Sequence, residues 1–110
     1  MKRFVRSAAR TDILRQFRYY LTEKQLPEVA WRFLDSVERA LKSIAREPRI
    51  GAPSSLAVPG LAGLRSWPVP GFEDIRVYYL ETEGTVRVIR ILHGKRDLRR
   101  ILERDDPAFN

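Results

Sequence analysis

The chain has 110 residues, 44% hydrophobic and 32% charged, with a net charge of +7, which suits one soluble domain over residues 1–110 and excludes a disordered chain. It has no cysteine, which excludes disulfides, thiolate nucleophiles and cysteine metal sites, and no apolar run approaches the ~20 residues of a membrane span. The basic balance favours an anionic partner: nucleic acid, an acidic protein or a nucleic-acid machine.

The first residues, Met1-Lys2-Arg3-Phe4-Val5-Arg6, lack the apolar stretch of a signal peptide, so a cytoplasmic protein without a membrane partner is expected. Arg3–Arg6 alternates charge and bulk and reads as a first strand, with Ser7 as the N-cap of a helix. From Ala8 to about Lys24 the residues Ala9, Ile13, Phe17, Tyr20 and Leu21 form a helical stripe, with Asp12, Arg15 and Gln16 off it. Leu26-Pro27-Glu28 interrupts this pattern and restarts it, because proline is tolerated at the first helical position and Glu28 complements the helix dipole. The second stripe is the cleanest signal in the chain: Ala30, Phe33, Leu34, Val37, Ala40, Leu41 and Ile44, opposed by Arg32, Asp35, Glu38, Arg39 and Lys42. Arg46-Glu47-Pro48 ends it. So short a connection predicts an antiparallel helical hairpin.

Arg49–Gly63 is rich in Gly, Pro, Ala and Ser, and a loop this long tends to be functional or to cover a sheet edge. Leu64–Val69, Asp74–Glu81 and Thr85–Leu92 then read as strands joined by short turns. Pro68 and Pro70 put the first near an edge. Val86–Leu92, apolar on both faces apart from its arginines, belongs in the middle. Leu98–Glu103 reads as a closing helix capped by Asp97. The predicted class is α+β in the order β-α-α-β-β-β: an antiparallel sheet with an N-terminal helical hairpin on one face and a short C-terminal helix.

Catalytic residue types are scarce. His93 is the single histidine, so no metal site and no cofactor is predicted. Gly60 and Gly63 precede a strand rather than a helix, which is not a phosphate loop. Ser54, Ser55 and Ser66 have no triad spacing. His93 reads as a turn residue before it reads as a general base. Arginines are better candidates. Strand alternation puts Ile75, Val77 and Tyr79 on one face and Arg76, Tyr78 and Leu80 on the other, where Arg90 can join them. With Arg65, Arg87 and Arg96 they can form a basic patch interleaved with Trp67 and Tyr78, suited to phosphates and stacked bases. The same residues also fit a solvated sheet face with incidental arginines. Trp31 and Trp67 fit either core packing or exposed anchors for a partner.

One known family shares this order of motifs. Ala9-x-x-Asp12-Ile13, Ala30-x-x-Phe33, Glu47-Pro48-x-x-Gly51, Leu64-Arg65-Ser66-Trp67-Pro68-Val69, Ile75-Arg76-Val77-Tyr78-Tyr79 and Arg90-Ile91-Leu92-His93-Gly94-x-Arg96-Asp97 follow one another at the right spacing. The chain resembles the RelE/ParE superfamily, the toxin halves of bacterial type II toxin–antitoxin pairs, and most closely its ParE branch. RelE-like members are ribosome-dependent mRNA endonucleases, whereas ParE-like members poison DNA gyrase. Arg76 and Arg96 match catalytic arginines of the nuclease branch. Its catalytic lysines would fall at about Leu61 and Gly63, and its tyrosine at about Leu102, none of which can move a proton. Arginines are themselves poor bases.

The resemblance therefore implies a toxin without catalytic residues that inhibits DNA gyrase by engaging the enzyme's A chain. Its neutralising partner would be a cognate acidic, ParD-like antitoxin, bound in a toxin–antitoxin hetero-oligomer. Target contacts would come from Arg65, Trp67, Arg76, Tyr78, Arg90 and Arg96, and antitoxin contacts from Phe17, Trp31 and Leu34. Two alternatives stay open: a ribosome-dependent ribonuclease using Arg76, Arg96 and His93, and a non-toxic binding module that only autoregulates its operon.

Overall fold

A computed structural model describes residues 1–54, 60–93 and 101. The elements in chain order are β1 (Lys2–Val5), α1 (Ser7–Arg18), a π-helical turn (Tyr19–Glu23), α2 (Pro27–Arg46), β2 (Ala52–Pro53), β3 (Arg65–Val69), β4 (Phe72–Thr82) and β5 (Thr85–His93). The strands form one five-stranded sheet in the order β1-β5-β4-β3-β2. The predicted α+β arrangement is observed, with two differences in the sheet. β1 runs parallel to β5 rather than antiparallel, because both helices intervene before the chain returns to the sheet. A short β2, inside the predicted loop, pairs antiparallel with β3 through Ala52 and Pro53.

Local chemistry sets the boundaries. Arg6, extended at φ −63°, ψ 154°, occupies the N-cap of α1 with no side-chain cap bond, so Ser7 starts the helix and does not cap it. The first helix becomes a π turn at Tyr19, with Lys24 N–H donating to the Tyr19 carbonyl and Leu26 N–H to that of Tyr20. Pro27 then opens α2, with Glu28 in its first turn. β4 and β5 are joined through Glu83 and Gly84, both at positive φ (50° and 79°), which is the backbone a two-residue hairpin turn requires.

The main core lies between α2 and one face of the sheet. Phe33, Val37, Ala40, Leu41 and Ile44 pack on Val69, Ile75, Val77, Tyr79, Val86, Val88 and Ile91. Tyr20, Phe33 and Phe72 form a ring triad at its end, with centroids 5.4–5.7 Å apart. Leu61, Leu64, Tyr78, Leu80 and Ile89 make a second cluster. Alternation along β4 assigns Tyr78 and Leu80 to the opposite, open face. The pairing of β4 with β5 shifts at Tyr78/Tyr79: Tyr79 opposes Val88, and Tyr78 opposes Arg90. This β-bulge adds one residue to β5 and resets its alternation, so that Ile91 joins Val86 and Val88 under the helices. Arg96 and, apart from Ile101, the closing helix expected over Leu98–Glu103 lie outside the described residues. Among the described residues no helix is long and apolar enough to cross a membrane.

Candidate functional site

The sheet divides the expected basic patch. Trp67 opposes Val77 and packs on the main core, and Arg65 opposes Tyr79, so both belong to the helix side. Ser66 opposes Tyr78, and Pro68 opposes Arg76, on the open side. Arg65, Trp67, Arg76 and Tyr78 therefore do not form one surface. Arg76 is half-buried on the open face, its Nε donating to Ser66 Oγ at 3.0 Å. Tyr78 is 2% exposed, and its hydroxyl has no hydrogen-bond partner among the described residues. Burial raises its pKa above the ordinary 10.0, and the Arg76 guanidinium offsets this only in part.

Arg90 does not join Arg76. Its Nε and Nη2 donate to the two carboxylate oxygens of Asp12 at 2.8 Å each, and Ile91 N–H donates to the same carboxylate at 2.9 Å. The side chains are 12% and 3% exposed. Asp12 is thus buried, contrary to its expected position off the stripe. The bulge explains the difference: it reorients β5 at Arg90, and β1 has ended by then, leaving the Ile91 N–H for α1 to satisfy. A signal was present, because Ala9, Asp12 and Ile13 have the i, i+3, i+4 spacing of one helix face.

Arg65 has a comparable structural engagement. Its Nη1 donates to the Gly51 carbonyl at 2.7 Å. Beside it the Tyr79 hydroxyl donates to the Pro48 carbonyl at 2.7 Å and accepts from Gly51 N–H at 2.9 Å. These bonds fasten the chain after α2 to the central strand.

His93 ends β5, exposed. With Tyr20 it borders a cleft of about 310 Å³ lined also by Glu73 and Asp74, and another of about 430 Å³ lined by Gln16, Tyr19 and Lys24. Among the described residues no group of three or more His, Asp or Glu side chains could hold a metal. On the helical hairpin Trp31 is 59% exposed and meets Phe17 edge-on, with centroids 5.1 Å apart. Leu34 is half-buried against the core.

The family model described as "ParE toxin of type II toxin-antitoxin system, parDE" matches residues 4–98. The chain belongs to the ParE toxin family. Its fold is also that of a solved structure, the chromosomal ParDE TA system from P. aeruginosa, with a TM-score of 0.69 over 86% of this chain and 97% of that chain at 17% identity. No curated protein matches it. In this ParE toxin Leu61 is buried in the open-face cluster, and Gly63 lies in the turn before β3 at φ 86°.

Proposed function

We propose that this ParE toxin inhibits DNA gyrase through the enzyme's A chain, by binding rather than by chemistry, and that an acidic ParD-like antitoxin neutralises it. The observation that carries this reading is the condition of the groups a nuclease would need. Arg76 donates to Ser66, and a guanidinium offers donors but no acceptor. The Tyr78 hydroxyl is enclosed, with its pKa raised further from neutrality. Leu61 has nothing to donate. General acid–base catalysis needs a group titrating near the operating pH within reach of the substrate, and this face presents none among its described residues. Family membership supports the gyrase target, and the +7 charge suits an acidic neutralising partner. The hairpin offers that partner an exposed Trp31 backed by Phe17, the kind of aromatic anchor that dominates interfaces. This reading puts the toxin's action in the cytoplasm.

The test is to titrate purified toxin into gyrase with relaxed plasmid. Supercoiling falls as toxin saturates the enzyme, and cleaved gyrase–DNA complexes accumulate. Unchanged supercoiling at saturation contradicts the proposal.

A further inference from the structure

Arg6 is the residue after β1, and it is only 6% exposed. In the parallel register Phe4 pairs with Arg87 and Val5 with Val88. Val88 belongs to the core under the helices, so Arg6, one residue past Val5, turns to the open face of the sheet. There it borders a cleft of about 200 Å³ together with Leu61, Leu80, Thr82, Arg87 and Ile89.

Its main chain is fully used: Arg6 N–H donates to the Val88 carbonyl, and its own carbonyl accepts from Arg10 N–H. Among the described residues no hydrogen bond or ion pair reaches its guanidinium. The contrast within this chain is informative. Arg90 is gripped by Asp12, and even the more exposed Arg3 is paired with Glu38. Arg6 thus brings a guanidinium to the cleft with its hydrogen-bond donors uncommitted among the described residues. Arg87, its guanidinium carbon 5.5 Å from the Phe4 ring centroid, lines the same cleft.

We propose that this cleft is a carboxylate-binding site that receives a Glu or Asp side chain from an acidic protein segment. Two features favour a protein carboxylate over a nucleic-acid phosphate. The cleft is small, and Leu61, Leu80 and Ile89 give it apolar walls, which suits a carboxylate on a short methylene stem between apolar neighbours. A nucleic-acid backbone carries its charges in series and is matched by an extended row of cations rather than by a small cleft of mixed polar and apolar lining. Among the lining residues, Arg6 offers a planar guanidinium that fits a carboxylate bidentately. That the segment belongs to the antitoxin rests on the function proposed above; the site's preference for a carboxylate does not.

The test uses the full chain, ¹⁵N-labelled, titrated with the blocked peptide acetyl-Ala-Leu-Glu-Leu-Ala-amide, its Gln counterpart and an oligothymidylate. The Glu peptide shifts the amides of Arg6, Leu80 and Arg87, and the Gln peptide binds about tenfold more weakly. Arg6→Met abolishes the response while the amide spectrum of the isolated toxin stays that of the folded chain. Should Arg6→Met not fold, Arg6→Lys serves, and it weakens Glu-peptide binding by removing the planar fork. Equal binding of the Glu and Gln peptides overturns the site. So does displacement of the Glu peptide by oligothymidylate, or peptide binding that persists in Arg6→Met. None of these readouts involves gyrase, so failure here and failure of the proposed function are separate results.

Discussion

At the scale of single residues, two buried tyrosine hydroxyls and one buried carboxylate decide how the polar interior behaves. Asp12 accepts three hydrogen bonds from Arg90 and Ile91 and ties α1 to the far end of β5. Asp12→Ala takes the carboxylate away from a buried guanidinium and an amide, and should cost about 3–5 kcal/mol in urea unfolding. Arg90→Ala should cost a similar amount, and the double variant much less than the sum, because both remove one network. Tyr78 and Tyr79 are neighbours with opposite expectations. The Tyr79 hydroxyl serves Pro48 and Gly51, so Tyr79→Phe should cost about 1–3 kcal/mol. The Tyr78 hydroxyl has no partner among the described residues, so Tyr78→Phe should leave stability unchanged or improve it. Burial raises both phenol pKa values above 10.0. The folded state therefore holds these protons longer than the unfolded chain does. Stability is intact below pH 10 and declines as pH rises through the window above it. Chemical denaturation at alkaline pH checks this, and each Phe variant should show a shallower decline. At this scale the sequence was least legible. Asp12 looked like surface because a charged residue within an apolar face signals burial only when its partner is known, and that partner lies in β5 beyond a bulge.

At the scale of elements the sequence was much more legible. The α2 stripe needs only a 3.6-residue period, and all its residues except half-buried Leu34 are in the core. The three later strands were visible from alternation and turn residues, and Pro27 marked the start of α2. Features that depend on non-local pairing were not visible. The parallel partner of β1, the bulge opposite Tyr78 and the two-residue β2 all follow from which strands meet. Assigning Arg65, Trp67, Arg76, Tyr78 and Arg90 to one patch failed for the same reason: proximity in sequence does not say which side of a sheet a side chain takes. The segment after α2 offers a clean test. A methyl group added to Gly51 would meet the Tyr79 hydroxyl at 2.5 Å and the Ser66 carbonyl oxygen at 2.7 Å. Gly51→Ala must push β2 away from the sheet or break the Tyr79 bonds, and should cost roughly 1–3 kcal/mol in thermal or urea unfolding.

At the scale of the whole molecule the charge and the two faces of the sheet assign different work to different surfaces. The helix side holds the main core and presents the hairpin with its exposed Trp31. The open side sets Arg6, Arg76 and Arg87 among leucines, isoleucine and an enclosed phenol. Trp31→Ala removes a ring that is 59% exposed, so Tm should change little while affinity for the antitoxin, read by calorimetry, falls by roughly 30-fold. Equal affinity would move the antitoxin contact off the hairpin. The central claim is that this cationic toxin grips its target, the open face of its sheet presenting no group among the described residues placed to move protons on a substrate. The most direct test is to incubate purified toxin in excess with ribosomes stalled on a defined mRNA and map the transcript ends. The transcript should stay intact at every toxin concentration. Cleavage that appears with toxin and disappears with Arg76→Ala would contradict the account.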